Sequence, residues 1–253
     1  MTRQAATTPP VDAPNARPGF VLRVLERLAR ARGPVRWRRE DPVTCLIGTI
    51  LAQATNDPLA ERAYRALRRR YPTWGGVLAA PRAEVERTIR MCGLARQKAG
   101  AIRAFLRRLK ETRGSFKLDP RGILLRGRLP KDVGHGAPSH TIDALLADLT
   151  AVPGVGIKTA AITLMFGCGA DLCAVDTHLV RILRRLRVVP EKAAPDRAFR
   201  ILRPLVPPGR GIELHLQLIR HGRETCRALR PRCAACPIRQ LCPQPAPPPG
   251  GGG

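Results

Sequence analysis

The sequence has few aromatic residues and no long apolar run. Phe, Trp and Tyr together make up 4% of the 253 residues, so aliphatic side chains and alanine must fill any core. No segment approaches the ~20 consecutive apolar residues of a membrane-spanning helix, and the N-terminus lacks the apolar centre of a secretory signal. We therefore expect a cytoplasmic protein that has no membrane partner.

Acidic residues are also scarce, which leaves a large positive charge. There are 45 Lys and Arg residues against 19 Asp and Glu residues, for a formal net charge of +26. A charge of this size exceeds what solubility requires and indicates a polyanionic partner, with nucleic acid as the first candidate. A genome whose base composition enriches arginine everywhere is the alternative explanation for part of the excess.

No segment shows the alternation of polar and apolar side chains that is typical of a half-buried strand. Apolar residues recur instead at spacings of three and four, which predicts an all-α fold. The predicted helical segments are 21–28, 59–67, 102–109, 142–149, 157–166, 177–186, 196–205 and 212–221. Residues 1–16 and 243–253 are predicted to be disordered tails. Residues 114–140 form a long basic loop, which is either a DNA contact or a solvated insertion.

A turn between two predicted helices carries the first functional signal. Residues 152–155 read Val-Pro-Gly-Val, which places Pro153 and Gly154 at the centre of a type II turn. Gly156 then keeps the start of the next helix free of side-chain bulk. The backbone N–H groups of such a helix-hairpin-helix element hold a phosphate without reading base sequence. An ordinary interhelical turn is the alternative, and Lys158 on the following helix favours phosphate binding.

Lys158 is a candidate nucleophile, because neighbouring positive charge favours the neutral, nucleophilic form of an amine. A solvated surface lysine is the alternative. Asp176 lies 18 residues further on, about 27 Å along one continuous helix, so the chain must reverse if the two are to meet. Gly167 and Gly169 predict that reversal, which places Asp176 at the N-cap of the next helix. Capping alone would explain an aspartate here, and both roles can coexist.

Four of the eight cysteines lie close together near the C-terminus. They are Cys226, Cys233, Cys236 and Cys242, with the spacing C-x6-C-x2-C-x5-C. Four thiolates within 17 residues can bind one inorganic centre, and the uneven gaps fit an iron–sulfur cluster better than the paired knuckles of a zinc ribbon. A zinc-stabilised module remains the alternative. The other four cysteines lie in apolar segments and are predicted to be reduced core residues.

These motifs resemble those of the endonuclease III family, within the helix-hairpin-helix superfamily of DNA glycosylases. The resemblance extends from about Asp41 to Cys242 and rests on six motifs in order: residues 51–55, 93–94, 153–158, 175–178, 221–223 and the four cysteines. It implies two α-helical domains with a DNA-binding cleft between them. One is a six-helix barrel at 34–170 that carries the hairpin, and the other is an iron–sulfur domain at 17–33 and 171–242.

The resemblance also implies roles for single residues. Lys158 would form a Schiff base with the sugar C1′, and Asp176 would assist the attack and stabilise positive charge on the sugar. Gln53 would fill the gap left by the extruded base and Leu94 would wedge into the opposite strand, because extrusion from the duplex is costly. The implied DNA contacts are Gln53, Leu94, Pro153, Gly154, Val155, Gly156, Arg230 and Arg232. The four clustered cysteines would hold a [4Fe-4S] cluster.

The implied protein is a monomeric, nucleoid-associated DNA glycosylase and abasic-site lyase of base excision repair. It would excise damaged, chiefly oxidised, pyrimidines from double-stranded DNA and nick the strand by β-elimination. Two alternatives stay open: a monofunctional mismatch glycosylase in which Asp176 activates water, and a non-catalytic protein that binds damaged DNA. Three residues depart from the family pattern: Asn56, Thr150 and Ile157. They change the expected polarity of the pocket, so the resemblance does not predict which lesions are excised.

Overall fold

The computed structural model describes residues 12–114, 116 and 139–244, and these divide into two compact units. One unit contains the described residues up to Trp37 and those from Asp171 onward, and the other extends from Arg38 to Ala170. Within the described ranges there is no strand, so the predicted all-α fold is confirmed. No helix in this part of the chain is both long and apolar enough to cross a membrane.

The helices are α1 (Pro18–Arg32), α2 (Pro42–Leu51), α3 (Asp57–Arg70), α4 (Trp74–Ala79), α5 (Arg82–Thr88), α6 (Ala95–Arg113), α7 (Ser139–Thr150), α8 (Ile157–Ile162), α9 (Thr177–Arg185), α10 (Pro195–Leu202) and α11 (Gly211–Glu224). Short 3₁₀ turns lie at Arg90–Cys92, Arg203–Leu205 and Arg239–Leu241, and a π turn at Thr163–Gly167 continues α8. Each segment with clear helical periodicity in the sequence forms a helix here.

The sequence did not predict three of the helices, α2, α4 and α5. Seven of the ten residues of α2 are buried, so it presents no polar face and therefore no periodicity. Helices α4 and α5 have only six and seven residues, too few to display a repeating pattern.

In the Arg38–Ala170 unit, α6 provides a long buried stripe that includes Ala99, Ile102, Phe105 and Leu109. Helix α2 packs against α3, α6, α8 and the π turn. A Cβ atom at Gly167 in that turn would lie 2.9 Å from the Cα atom of Pro42, so only glycine allows this close approach. Each fully buried Leu, Ile or Phe contributes roughly 1.5–3 kcal/mol to the stability of such a core.

The predicted type II turn between α7 and α8 is confirmed. The N–H of Val155 donates to the carbonyl of Val152 at 3.0 Å, and Gly154 has a φ of 85°. Gly156 follows in an extended conformation and is the residue before α8. The turn lies against α6, since a Cβ atom at Gly154 would be 2.7 Å from the Cβ atom of Ala101.

In the other unit, α11 packs against α1 and α9. A Cβ atom at Gly222 of α11 would lie 2.8 Å from the Cβ atom of His178 in α9, so the two helices approach closely at this glycine. The carboxylate of Asp171 accepts hydrogen bonds from the N–H groups of Gly209 (2.6 Å) and Gly211 (2.8 Å) and so fixes the start of α11.

The structure differs from the predicted N-terminal tail at residues 12–16. Ala13 is fully buried, and the main-chain and side-chain N–H groups of Asn15 donate to the carbonyls of Arg187 and Leu186 at the end of α9. A segment of low hydropathy is ordered here because its polar groups satisfy orphan carbonyls of a helix. The remainder of the predicted tails, residues 1–11 and 245–253, and most of the predicted 114–140 loop lie outside the described residues.

The four cysteines outside the C-terminal cluster are buried and free, as predicted: Cys45, Cys92, Cys168 and Cys173. Burial is the main factor that raises the pKa of the Cys45 thiol to about 12, and it also raises the pKa values of Cys168 and Cys173. The thiols of Cys45, Cys168 and Cys173 therefore stay protonated and chemically inert at neutral pH.

We predict that Gly154→Ala destabilises the protein by roughly 1–3 kcal/mol, because alanine resists a positive φ and its Cβ atom would clash with Ala101. The matched control is Gly156→Ala in the same hairpin, where φ is −85° and no atom lies within 4 Å of the added Cβ. Thermal unfolding followed by circular dichroism measures the difference. Equal melting temperatures for the two variants would contradict the prediction.

Candidate functional site

Lys158 is the second residue of α8 and is exposed to solvent. No side chain caps α8, and in the described chain the same holds for α1, α5, α6, α10 and α11, whereas α2, α3, α4 and α9 each have a capping side chain. The first N–H groups of α8 thus lack a side-chain acceptor from the protein, which leaves them available to an anion. The structure therefore places an exposed amine directly beside a backbone segment suited to an anion.

Gln53 lies in the connection after α2, and the structure brings it to the hairpin. Its Nε2 atom donates to the carbonyl of Gly154 and to the hydroxyl of Thr159, both at 3.2 Å. The next residue, Ala54, has a φ of 49°, which is unfavourable for any residue with a Cβ atom. Two motifs that are about 100 residues apart in the sequence thus share one side of this unit.

Leu94 lies at the start of α6 in a left-handed conformation, with a φ of 51°, directly after Gly93 with a φ of 67°. Its side chain is 50% exposed, so it is not a core residue. Met91, three residues earlier, is also exposed. A leucine that is both exposed and held in an unfavourable backbone conformation is typical of a functional position.

Lys98 is a residue that the sequence reasoning missed. Its side chain is only 1% exposed, and Nζ donates to the carbonyls of Leu51 (2.8 Å) and Cys92 (2.6 Å). A signal for it does exist in the sequence. Lys98 shares a helical stripe with Ile102, Phe105 and Leu109, so it is a basic residue on an otherwise apolar face.

In the other unit, Asp176 is the N-cap of α9, as predicted. Its Oδ1 atom accepts a hydrogen bond from the N–H of Leu179 at 2.8 Å, and the side chain is half-buried. Lys158 and Asp176 belong to different units. The predicted DNA cleft between the domains stays a prediction.

Arg181 of α9 links three of the sequence motifs within its unit. Its guanidinium donates to Nδ1 of His178 (3.1 Å) and to the carbonyls of Gly222 (3.0 Å) and Cys226 (2.9 Å). Because arginine can only donate, Nδ1 of His178 is the acceptor in this hydrogen bond. This network fixes the segment before the first clustered cysteine against α9.

The four clustered cysteines are free and half-buried, and they line one cavity of about 280 Å³. Burial is the largest contribution that raises the pKa values of Cys236 and Cys242. A cation is therefore needed to hold these side chains as thiolates. In the described ranges, no three Cys, His, Asp or Glu side chains converge closely enough to hold a single metal ion.

Nitrogen donors are aimed at two of these sulfur atoms. Nη1 of Arg185 lies 3.2 Å from Sγ of Cys226, and Nε2 of His221 lies 3.8 Å from Sγ of Cys236. Nδ1 of His221 accepts from Arg32 at 3.0 Å, so Nε2 carries the proton and faces the sulfur. Burial, followed by the charges of Arg32 and Arg181, lowers the pKa of His221 to about 4. Four sulfur atoms on one cavity, with N–H donors facing two of them, fit a group that binds several thiolates.

The two arginines predicted to contact DNA are both exposed. Arg230 has a φ of 48° and follows the exposed Leu229. The N–H of Arg232 donates to the carbonyl of Thr225 at 2.9 Å, which closes the segment between the first two clustered cysteines.

Two of the three departures from the family pattern have local roles. Asn56 caps α3 by accepting from the N–H of Leu59 at 3.0 Å, a role that aspartate fills equally well. The hydroxyl of Thr150 donates to the carbonyl of Leu146 within α7 at 2.8 Å. Ile157 is the half-buried first residue of α8.

Comparison with known proteins assigns the family. Residues 47–208 match the family described as HhH-GPD superfamily base excision DNA repair protein. Over 222 residues the chain is 31% identical to endonuclease III of Thermotoga maritima. The aligned region covers 87% of this chain and 92% of that protein. The chain belongs to the endonuclease III family.

Other endonuclease III proteins agree with this assignment. The Bacillus subtilis enzyme is 29% identical over 202 residues, which cover 80% of this chain and 81% of that protein. A solved structure of a trapped covalent intermediate between endonuclease III and DNA has a TM-score of 0.70 and 25% identity, and the match covers 89% of this chain and 95% of that one. Members of this family are DNA glycosylases with abasic-site lyase activity, so the predicted fold and enzyme class are confirmed. The roles of single residues stay predictions.

We predict that Asp176→Ala lowers stability by about 1 kcal/mol, because α9 loses its capping acceptor, whereas Asp176→Asn keeps the cap and changes stability little. Chemical denaturation of both variants measures this difference. Asparagine cannot supply the negative charge of the aspartate. If Asp176 is catalytic, the Asp176→Asn variant should therefore lose activity although its stability stays normal. Full excision activity in Asp176→Asn would leave the residue with the capping role alone.

Proposed function

We propose that the protein excises damaged pyrimidines from double-stranded DNA and then nicks the strand, with Lys158 as the Schiff-base nucleophile. The observation that carries this proposal is an exposed lysine on the first turn of α8, just after the hairpin that is predicted to bind phosphate. The trapped covalent intermediate of an endonuclease III with DNA supports a covalent route for this chain as well.

In the proposed reaction, the neutral amine of Lys158 forms a bond to the sugar C1′ as the bond from C1′ to the base breaks. The base leaves with the electron pair and takes up a proton. The amine loses its proton as the sugar ring opens, which leaves a Schiff base. Removal of a proton from C2′ then expels the 3′ phosphate, and water hydrolyses the imine to release Lys158. The carboxylate of Asp176 stabilises positive charge on the sugar during base loss.

DNA recognition in this proposal combines phosphate contacts with residues that replace the extruded base. Pro153, Gly154, Val155 and Gly156 present the hairpin backbone to one phosphate, and Arg230 and Arg232 add further phosphate contacts. These contacts position the protein without reading sequence. Gln53 and Leu94 stabilise the opened duplex, which offsets part of the cost of extrusion. We propose that a monomer carries out these steps on chromosomal DNA in the cytoplasm.

We also propose that Cys226, Cys233, Cys236 and Cys242 hold a [4Fe-4S] cluster. The supporting observation is that all four thiols line one cavity, with N–H donors directed at Cys226 and Cys236. When bound, the cluster supplies iron–thiolate bonds that order residues 226–242 and with them the exposed arginines. The cluster has no role in bond breaking in this proposal.

We expect borohydride to trap a covalent complex between the protein and a duplex that contains an abasic site or an oxidised pyrimidine. Lys158→Ala should abolish trapping while binding persists, because the imine nitrogen is removed but the hairpin remains. The matched control is Lys192→Ala, an exposed lysine outside the proposed site. Denaturing gel electrophoresis detects the covalent band. If the wild-type protein binds both duplexes and traps neither, the lyase proposal is wrong and a water-using mechanism or simple damage binding replaces it.

For the cluster, we expect protein purified without oxygen to be brown, to absorb near 400 nm and to contain about four iron atoms per chain. Cys242→Ser should lose most of this iron, whereas Cys45→Ala, at a buried cysteine outside the cavity, should retain it. Elemental analysis and the absorption spectrum report the result. Stoichiometric zinc in place of iron would refute the cluster assignment.

A further inference from the structure

Lys98 has the burial of a core residue but the chemistry of a surface residue. In the described part of the chain, it is the one lysine or arginine whose exposure falls to 1%. Burial of an amino group is costly unless its N–H groups are bonded. Here Nζ donates to two main-chain carbonyls, those of Leu51 and Cys92, at 2.8 and 2.6 Å.

The positions of these two acceptors suggest what Lys98 does. Leu51 is the last residue of α2 and lies two residues before Gln53. Cys92 is the last residue of the 3₁₀ turn and lies two residues before Leu94. The final carbonyls of helical segments have no partner within the segment, so one amino group ends both segments and joins them.

The backbone around each acceptor is held in an unfavourable conformation. Ala54 and Leu94 have φ values of 49° and 51°, which cost free energy in any residue with a Cβ atom. Such conformations persist only where the surroundings fix them. The hydrogen bonds of Lys98 hold Leu51, three residues before Ala54, and Cys92, two residues before Leu94. They therefore help to fix the backbone conformations of Ala54 and Leu94.

Packing alone does not require a lysine at position 98. The side chain extends the apolar stripe of Ile102, Phe105 and Leu109 on α6, where methionine or leucine would fill similar space. An apolar side chain would leave the carbonyls of Leu51 and Cys92 without this donor. Lysine therefore adds two hydrogen bonds that an apolar residue at this position could not make.

We propose that Lys98 is a positioning residue for base extrusion, which holds the Gln53 segment and the Leu94 segment in a fixed relation so that they act on the duplex together. This inference rests on the proposed roles of Gln53 and Leu94. Lys98 itself touches neither DNA nor the reacting atoms. Its loss should therefore slow opening of the duplex more than the chemistry at a sugar that has no base to extrude.

The test compares Lys98→Met with a control on the same helix, Arg103→Met. Arg103 also donates to two main-chain carbonyls, those of Val77 and Ala80, but neither is next to Gln53 or Leu94. We expect Lys98→Met to slow single-turnover excision of a paired oxidised pyrimidine by about tenfold or more, while borohydride trapping at a preformed abasic site changes less than about threefold. Arg103→Met should change both rates less than about threefold.

Amide hydrogen exchange gives a readout that does not depend on catalysis. In Lys98→Met, amides in residues 52–56 and 93–95 should exchange faster than in the wild-type protein, and in Arg103→Met they should not. If Lys98→Met does not fold, Lys98→Gln replaces it, because glutamine keeps two N–H donors on a shorter side chain. The glutamine variant should show the same selective loss of excision, to a smaller degree.

Equal losses in excision and abasic trapping, or unchanged exchange in either segment, would overturn the positioning role. A wild-type protein that traps at neither substrate would instead refute the proposed function. In that case, faster exchange of both segments in Lys98→Met would still establish the link between them.

Discussion

Basic side chains in this protein bind main-chain carbonyl groups because there are too few carboxylates to bind. With 45 basic residues and 19 acidic ones, most Lys and Arg side chains have no possible one-to-one ion pair. Many donate instead to the carbonyls of turns and helix ends, among them Arg39 to Cys168, Lys98 to Leu51 and Cys92, Arg103 to Val77, Arg184 to Ala193, and Arg185 to Arg227 and Ala228. Hydrogen bonds to charged groups contribute about 1.5–3 kcal/mol each, so these contacts stabilise the connections between helices.

The same interaction supports predicted site residues within each unit. Lys98 anchors the segments that carry Gln53 and Leu94, and Arg181 joins His178 to Gly222 and to the backbone of the first clustered cysteine. Residues proposed to contact DNA therefore lie on short connections that are tied to helices. Such support keeps a functional side chain close to its working geometry, which lowers the entropic cost of forming the complex with DNA.

The sequence predicts those features that depend on neighbouring residues. Pro153 and Gly154 dictate a type II turn, Asp176 caps a helix, and amphipathic periodicity locates most helices. It does not predict features that arise from contacts between distant segments. Lys98 and Leu51 are 47 residues apart, and the residues next to each of them do not predict the hydrogen bond between the two. Likewise α2 has no polar face, and the exposure of Leu94 depends on how α6 begins.

The unit that carries the clustered cysteines is assembled from both ends of the described chain, and this has a consequence for biosynthesis. Helix α1 packs on α11, but the whole Arg38–Ala170 unit separates them in the sequence. At typical rates of translation, α1 leaves the ribosome on the order of ten seconds before α11 is made. During that interval the apolar residues of α1 around Leu25 lack the helix against which they pack in the folded protein.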